Sequence, residues 1–423
     1  MRLSADRLPA ARLLVRVEEG AFSSRLLSGG GAPAARVRVL EVLRSMRALD
    51  AVLQPRCRRK LRKLDPEVRA ALRIGLAETV RLDFPPELAT DGAVRLVRRL
   101  GRSSASSMVN AVLRKATADW REVLASSPID VRLSHPEWLC RRWTEVFGDE
   151  ATEVAMASAQ EPAMTWAWFF DEEDRRILAR TGVELAPHPW CPGAWTAPRD
   201  VKHLIEMVSD GAAYAQDPSS QMVAHIAKSL GSAKQNFLDL CAAPGGKTAL
   251  MLHLGHWERA VAADLRLNRA RLMRPAVSRA EKCSILAADA TNSPFPSGAW
   301  DLVLLDAPCT GTGTFRRHPE LKWRLAPESI SELAGLQSEI LLAGLDLVAP
   351  GGALLYTTCS VEPEENEGVV TELPRGFEVE SLEPHLPVGV PWIPTSAGGV
   401  RILPNPNGDG FTMHAIRRDT STP

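Results

Sequence analysis

The sequence predicts an α/β protein with an all-helical N-terminal part, and three observations support this prediction. Residues 5–115 carry apolar residues at helical spacing without a strand-like run. From about residue 217 onward, short apolar runs alternate with helical segments, which is typical of a doubly wound, mostly parallel sheet. Between these parts, residues 163–215 hold short strand-like segments separated by Pro and Gly turns. A chain of 423 residues has room for two or three such domains.

The composition is that of an ordinary globular protein, with 45% hydrophobic and 24% charged residues. No apolar run approaches the roughly 20 residues of a membrane span, and the segment from Met1 to Asp6 lacks an apolar signal core. Seven cysteines without paired spacing predict reduced thiols and a cytoplasmic location. His253 and His256 alone do not make a metal site, so no metal is expected.

The net charge of zero hides a strong asymmetry along the chain. Residues 1–115 carry 24 Lys and Arg against 11 Asp and Glu, whereas the remainder carries 27 against 40. An arginine-rich surface without a partner is one explanation, but tight clustering of basic residues favours a polyanion such as nucleic acid. The clustered residues are Arg56, Arg58, Arg59, Lys60, Arg62 and Lys63.

The N-terminal part is predicted to be a bundle of five to seven helices. Asp65 precedes Pro66, a pair typical of an N-cap and a first helical residue. Residues 116–133 are polar and predict a linker, after which residues 134–159 are helical again. The bundle helices are predicted at 10–17, 36–53, 68–77, 89–100 and 105–115.

The C-terminal part is predicted to contain seven strands and four helices. The predicted strands are 237–240, 260–264, 284–287, 301–305, 353–357, 377–381 and 411–416. The predicted helices are 219–230, 247–255, 266–280 and 328–348.

The segment from Phe237 to Thr248 predicts a cofactor site. An apolar strand, a turn at Gly245 and Gly246 and a helix start together form the part of an α/β fold that binds nucleotide-like cofactors. A P-loop is excluded, because Cys241 stands where that loop requires glycine and a proline lies within the turn.

Acidic residues end three successive predicted strands, at Asp239, Asp264 and Asp289. Such carboxylates can accept hydrogen bonds from ribose hydroxyls and an adenine amino group. They suit S-adenosylmethionine, which carries a positive sulfonium and has no phosphates to repel. For any single acid, a helix N-cap is the alternative explanation.

Two cysteines follow strands of the same predicted sheet. Asp306 and Cys309 follow the fourth strand and Cys359 ends the fifth, so the thiols are neighbours if these strands pair. A thiolate that adds to carbon 6 of cytosine makes carbon 5 nucleophilic toward a sulfonium methyl group. Asp306 can hydrogen-bond the cytosine ring and favour that electron flow. For either cysteine alone, a buried structural thiol is the alternative.

These stretches resemble the RNA (cytosine-C5) methyltransferases of the NOL/NOP/Sun type. Leu64–Arg73 and Val109–Arg114 are similar to a NusB-like RNA-binding domain, a combination found in bacterial 16S rRNA methyltransferases. One stretch departs from the family, because Trp166–Phe169 stands where members carry a Leu-Arg-x-Asn-like strand. The matching stretches are 217–220, 239–247, 306–313, 316–323, 356–367 and 409–411.

The resemblance implies a Rossmann-like class I S-adenosylmethionine-dependent methyltransferase domain at 216–423, a NusB-like domain at 1–125 and a small α+β subdomain at 134–215. It implies that Cys359 is the nucleophile, that Cys309 aids breakdown of the adduct, and that Lys322 is a candidate RNA contact. The protein is expected to act on RNA, most simply 16S rRNA, as a monomer. The implied cofactor and base site comprises Cys241, Ala242, Ala243, Pro244, Gly245, Gly246, Lys247, Asp264, Asp289 and Asp306.

Three alternatives stay open at this point. The protein can be a methyltransferase acting on DNA, one acting on another RNA such as tRNA, or a noncatalytic RNA-binding ribosome-assembly factor that keeps the cofactor fold. The presence of Asp306, Cys309 and Cys359 together argues against the last, since binding alone does not require two thiols at strand ends.

Overall fold

The computed structural model describes residues 7–21, 33–199, 201–231, 236–277 and 283–420, and in it the chain forms two compact units. The first unit contains the residues up to Pro162 together with Phe315–Arg324. The second contains Ala163–Thr314 and the chain from Leu325 onward. Residues 1–6, where a signal core was sought, and residues 278–280 of the predicted helix 266–280 lie outside the described residues.

The first unit is helical, as the sequence predicts. Three of its long helices begin with proline, whose fixed φ suits the first helical position. Its core includes Leu14, Val39, Leu72 and Leu113, all buried. The long helices are Arg7–Glu18, Pro33–Leu53, Pro66–Arg81, Pro86–Arg99 and Ser106–Ala125.

Two local predictions for this unit need correction. Asp65 does occupy the N-cap position, but its side chain makes no capping hydrogen bond. Residues 116–125 belong to the helix Ser106–Ala125, so the predicted linker is wrong there. Trp120 and Leu124 pack against the apolar core, and the polar residues between them conceal that helical face in the sequence.

The helices Ile129–Arg132, Glu137–Phe147 and Asp149–Ser158 also belong to the first unit. The small subdomain predicted from the sequence instead begins at residue 134. Trp143 is 1% exposed and stacks on Phe315 with ring centroids 5.9 Å apart, which ties this region to Phe315–Arg324. The boundaries 1–125, 134–215 and 216–423, taken as separately folding domains, stay a prediction.

The second unit begins with a small antiparallel sheet of four strands in the order β2-β3-β1-β4. The atypical segment at Trp166–Phe169 supplies its strand β1, which pairs with β3 and β4. The helices Glu172–Arg180 and Val201–Ser209 complete this α+β region. Its strands are β1 Ala167–Phe169, β2 Ala186–Pro187, β3 Trp195–Thr196 and β4 Ala213–Ala215.

A larger sheet of nine strands forms the rest of the second unit. All seven predicted strands are present, and β11 and β12, three residues each, were missed. The strands are β5 Asn236–Asp239, β6 Arg259–Asp264, β7 Cys283–Ala287, β8 Trp300–Asp306, β9 Val348–Thr358, β10 Phe377–Glu380, β11 Trp392–Pro394, β12 Val400–Ile402 and β13 Phe411–Arg418.

The strands follow the order β11-β12-β13-β9-β8-β5-β6-β7, with β10 on β13. The strands β5 to β9 pair in parallel, and β13 runs antiparallel to β9. This topology therefore brings the C-terminal ends of β5, β6, β8 and β9 to one edge of the sheet. The flanking helices are Pro218–Leu230, Gly246–Leu254, Leu267–Leu272, Arg274–Val277, Pro327–Asp346 and Glu367–Val370.

The central strands are apolar on both faces, as a covered parallel sheet requires. Phe237 and Leu302 belong to the core on one face, whereas Leu238 and Val303 belong to the core on the other. This alternation follows from the two-residue period of a strand and fixes which side chains reach the C-terminal edge. In the part of the chain that the structure describes, no helix is long and apolar enough to cross a membrane.

Candidate active site

The glycine turn after β5 depends on close backbone packing. Gly245 has a φ of +104°, and a Cβ there would lie 3.2 Å from the Cα of Met273. A Cβ on Gly246 would lie 2.8 Å from the ring of Tyr214. Only glycine therefore fits both positions without displacing neighbours, and the helix Gly246–Leu254 starts directly at the turn.

Asp239 at the end of β5 is buried beneath this turn. One carboxylate oxygen, Oδ2, accepts a hydrogen bond of 2.6 Å from the Thr248 hydroxyl, while Oδ1 has no hydrogen-bond partner among the described residues. Burial raises the pKa of Asp239 to about 7. A buried polar atom without a partner at a cavity wall is typical of a position that a ligand donor completes.

Two cavities meet at the turn. The smaller, about 150 Å³, is lined by Asp239, Ala242, Pro244, Gly246 and Lys247 among others. The larger, about 440 Å³, brings together acids and thiols from the ends of the five strands β5 to β9. Cys241, Ala243 and Asp306 line both cavities, and Gly245 lines neither. The predicted residues in the larger cavity are Cys241, Ala243, Asp264, Asp289, Asp306, Cys309 and Cys359.

The two outer acids of the larger cavity differ in setting. Asp264 is buried, accepts a hydrogen bond of 3.2 Å from the backbone N–H of Arg266, and lies 3.3 Å from the Arg269 guanidinium. Asp289 is exposed and accepts from the backbone and hydroxyl of Thr291 at 2.9 and 2.7 Å. Those hydrogen bonds hold the pKa of Asp289 below its ordinary value.

Asp306 pairs with Lys247 across the sheet edge, with Oδ2 2.6 Å from Nζ. Burial acts to lower the pKa of Lys247, but the charge and hydrogen bond of Asp306 outweigh it and raise that pKa. The ammonium also lies 5.1 Å from the centre of the Phe411 ring. Lys247 therefore remains a cation, and it restricts the orientation of the Asp306 carboxylate.

The predicted pairing of the fourth and fifth sheet strands is confirmed, because β8 and β9 pair with Asp306 opposite Thr357. As a result, the sulfur atoms of Cys309 and Cys359 lie 3.3 Å apart. The hydrogen bond to Cys359, followed by burial, raises the pKa of Cys309 well above its ordinary value. The two thiols share this hydrogen bond, in which either sulfur can be the donor.

Cys241 lines both cavities and differs from the thiol pair in its electrostatic surroundings. Burial, and then the charges of Asp239, Asp306 and Asp264, raise its pKa. A thiol held protonated in this way is a poor nucleophile, in agreement with a role as a small wall residue of the cavity.

Sequence reasoning gave no role to Glu365, although the residue lies within a stretch quoted for the resemblance. Its carboxylate is fully buried and accepts hydrogen bonds from Thr310 and Ser360, the residues that follow the two cysteines. The available signal was a run of acids that follows the second cysteine, in which Glu362, Glu365 and Glu367 are buried. Among the described residues, no group of three or more His, Cys, Asp or Glu side chains is placed to hold a metal ion.

Lys322 is not an RNA contact. It is fully buried in the first unit, and Nζ donates to the backbone carbonyls of Arg44 and Ser134 at 3.0 and 2.9 Å. Burial, then the charges of Arg44 and Arg81, hold the pKa of Lys322 well below its ordinary value. The basic cluster is accessible instead, with the side chains of Arg58, Arg59, Lys60, Arg62 and Lys63 exposed.

The sheet, the glycine turn and the acid-lined cavity define an S-adenosylmethionine-dependent RNA methyltransferase. A family model described as 16S rRNA methyltransferase RsmB/F matches residues 203–417, and the NusB family model matches residues 5–118. The chain belongs to the RsmB/F family of 16S rRNA methyltransferases.

Individual relatives agree with this assignment. Ribosomal RNA small subunit methyltransferase B of Escherichia coli (strain K12) is 32% identical over 387 residues, which cover 88% of this chain and 86% of that protein. The crystal structure of PH0851 has a TM-score of 0.77 at 24% identity and covers 99% of each chain. NSun6 from Pyrococcus horikoshii with SFG has a TM-score of 0.57 at 19% identity, covering 68% of this chain and 99% of that one. The two structures support the fold alone.

Proposed function

We propose that the protein transfers a methyl group from S-adenosylmethionine to carbon 5 of a cytosine in RNA, through a covalent adduct with Cys359. The observation that carries the proposal is the thiol pair, with sulfur atoms 3.3 Å apart in the cavity that also holds Asp264 and Asp306. A methyltransferase acting on an oxygen or an exocyclic nitrogen has no need of a nucleophilic thiol. Methylation of an unactivated ring carbon requires one.

The residues fit the cofactor that the family uses. Asp264 and Asp289 line the same cavity and would accept hydrogen bonds from the ribose hydroxyls and the adenine amino group, respectively. Oδ1 of Asp239, which has no partner among the described residues, could accept from a ligand donor, and the turn from Cys241 to Lys247 would supply further contacts. S-adenosylmethionine, when bound, supplies an electrophilic methyl group.

The two thiols have different proposed roles, addition to the cytosine ring by Cys359 and breakdown of the adduct by Cys309. The Cys359 thiolate adds to carbon 6, and the electron pair of the carbon 5–carbon 6 double bond becomes available at carbon 5. Asp306 accepts a hydrogen bond from the amino group or from a protonated nitrogen 3, which favours electron flow into the ring. After methylation, loss of the proton from carbon 5 restores the double bond and expels the Cys359 thiolate.

The pKa of Cys309 supports this division. Its hydrogen bond with Cys359 and its burial raise the pKa of Cys309 well above the ordinary value, which makes Cys309 a poor nucleophile. Once Cys359 is bonded to carbon 6, it no longer accepts the Cys309 hydrogen bond. Cys309 can then give its own proton to water, and its thiolate accepts the carbon 5 proton as the double bond reforms and the Cys359 thiolate leaves.

The RNA substrate is proposed to be 16S rRNA. The family assignment and the exposed basic cluster at residues 58–63 support it, because Lys and Arg side chains contact phosphates irrespective of sequence. Another RNA, such as tRNA, is the alternative substrate, and the small sheet with its atypical strand β1 is a candidate contact region for either.

Methyl transfer from labelled S-adenosylmethionine to unmodified small-subunit rRNA tests the proposal. Nucleoside analysis should find the label in 5-methylcytidine, with less incorporation into tRNA. Replacing Cys57, which lines neither cavity, by Ala serves as the matched thiol control and should leave transfer unchanged. Label in any other nucleoside, or none at all, would overturn the proposal.

A further inference from the structure

Glu365 is a fully buried acid for which the proposed chemistry has no direct use. It ends the short turn Pro363–Glu365 that follows β9, and its exposed fraction is 0%. A buried carboxylate is costly unless several donors compensate for the lost water. The identity of those donors therefore indicates what the residue does.

The donors come from the residues that follow the two cysteines and from the helix Pro327–Asp346. Oε1 accepts from the backbone N–H of Thr310 at 2.8 Å and from Nε2 of Gln337 at 3.0 Å. Oε2 accepts from the hydroxyls of Thr310 and Ser360. Thr310 directly follows Cys309 and Ser360 directly follows Cys359, so one carboxylate joins the loops that carry both sulfur atoms.

Two further hydrogen bonds complete this arrangement. Gln337 also donates to the backbone carbonyl of Pro308 at 2.8 Å, so the residues on both sides of Cys309 are fixed. The backbone N–H of Gly313 donates to the carbonyl of Cys359 at 2.9 Å, which links the two loops directly. Burial raises the pKa of Glu365, and the hydrogen bonds from Ser360, Thr310 and Gln337 oppose that rise.

We infer that Glu365 is a positioning residue that holds the loops of Cys309 and Cys359 together, so that one thiol can assist release while the other is bonded to RNA. The inference rests on the proposed function. Carbon 5 and carbon 6 are adjacent ring atoms, so the two sulfur atoms must stay close during release. Addition needs only Cys359, whereas release needs both loops in register. Loss of the Glu365 hydrogen bonds should therefore slow release more than it slows addition.

The charge of the carboxylate is part of this role. An ionised carboxylate can only accept hydrogen bonds, so the Thr310 and Ser360 hydroxyls must both donate to Oε2 of Glu365. The Ser360 oxygen can then accept from the backbone N–H of Glu362 at 3.1 Å. A glutamine at this position has nearly the same shape, but it presents two N–H donors to hydroxyls that already donate, which separates the loops.

The test compares Glu365→Gln and Glu365→Ala with Glu372→Gln, a matched control at an exposed glutamate seven residues further on. We expect kcat of Glu365→Gln to fall about 100-fold, the size of effect that a misplacement near 1 Å produces. The KM for S-adenosylmethionine and the unfolding midpoint should stay close to those of the wild type. A covalent RNA–protein adduct should accumulate during a single turnover, as expected for Cys309→Ala, and Glu372→Gln should show none.

Other outcomes would overturn the inference. Wild-type turnover in Glu365→Gln, or reduced turnover without adduct, would remove the positioning role. A joint loss of cofactor affinity and thermal stability would show that Glu365 has a structural role only. If Glu365→Ala does not fold, the kinetics and adduct formation of Glu365→Gln test the inference. Failure of the proposed function is distinguishable, because the wild type would then transfer no methyl group and Cys309→Ala would trap no adduct.

Discussion

The cofactor acids and the thiol loops lie at the same edge of one sheet, but they are held in place in different ways. Asp264 and Asp289 accept hydrogen bonds from residues two positions further on. Cys309 and Cys359 are 50 residues apart in the sequence, and they are brought together by the pairing of β8 and β9 and by the hydrogen bonds of Glu365. Local spacing therefore positions the acids, whereas tertiary contacts position the thiols.

Loss of the nucleophile is expected to have the largest effect. Cys359→Ala should lower kcat by at least about 10⁴-fold, in the range found when a catalytic nucleophile is removed. The cofactor acids keep their local hydrogen bonds, so affinity for S-adenosylmethionine should stay near the wild-type value. Methyl transfer and equilibrium binding measured on the same preparation check both statements, and weakened binding would show that the two regions are not independent.

Asp306 belongs to both regions, because it ends β8 and lines both cavities. Asp306→Asn should lower kcat about 10²- to 10³-fold, the effect of removing one preorganised electrostatic contact. The Lys247 ammonium loses the charge that raises its pKa, so that pKa should fall. Steady-state kinetics with rRNA measure the first effect, and a kcat within a factor of about two of the wild type would exclude Asp306 from the chemistry.

Substitution of Asp264 and substitution of Asp289 should weaken binding of S-adenosylmethionine to different extents. Asp264→Asn removes a buried charged acceptor and should weaken binding of S-adenosylmethionine about 10- to 100-fold. Asp289→Asn should change affinity by less than about tenfold, because Asp289 is exposed and Asn can keep the hydrogen bonds from Thr291. Calorimetric titration distinguishes them, and a larger loss at Asp289 would reverse their assigned importance.

The smallest expected effect concerns stability. A Cβ on Gly313 would lie 2.2 Å from the carbonyl oxygen of Gly410 and 2.8 Å from that of Cys359. Gly313→Ala should therefore lower the free energy of unfolding by about 1 to 3 kcal/mol, the usual cost of overpacking. Gly335→Ala is the matched control, because nothing lies within 4 Å of its Cβ position in the helix Pro327–Asp346.

Alanine favours that helical site by about 0.5 to 1 kcal/mol, so the control should unfold at equal or higher denaturant concentration. Equal denaturation midpoints for Gly313→Ala and Gly335→Ala would show that the thiol loops tolerate displacement. That result would contradict the view that tertiary packing positions the thiols.

Much of the fold follows from local patterns in the sequence. The apolar runs at Phe237 and Leu302 are continuous because both faces of the parallel sheet are covered, and they predict β5 and β8 correctly. The strands β11 and β12 are too short to give a periodic signal. The segment at 116–125 looked like a linker because its apolar residues occupy one narrow face of a helix.

The parts of the site that depend on strand ends and on the chemistry of single residues could be predicted from the sequence. The pairing of β8 and β9 followed from topology, and it placed both cysteines together. The burial of Lys322 was not predictable, because the carbonyls that receive its hydrogen bonds lie 188 and 278 residues away. For the same reason Glu365 was indistinguishable in the sequence from Glu362, Glu364 and Glu367, because its donors Thr310 and Ser360 are identified only in the folded chain.

The most direct test of the division between the thiols is to trap the adduct and identify the attached cysteine. Cys309→Ala, incubated with rRNA and S-adenosylmethionine, should accumulate a covalent RNA–protein complex, and peptide mapping should find the nucleotide on Cys359. Cys359→Ala should give no such complex. A complex trapped by Cys359→Ala, with the nucleotide on Cys309, would contradict the account and exchange the roles of the two residues.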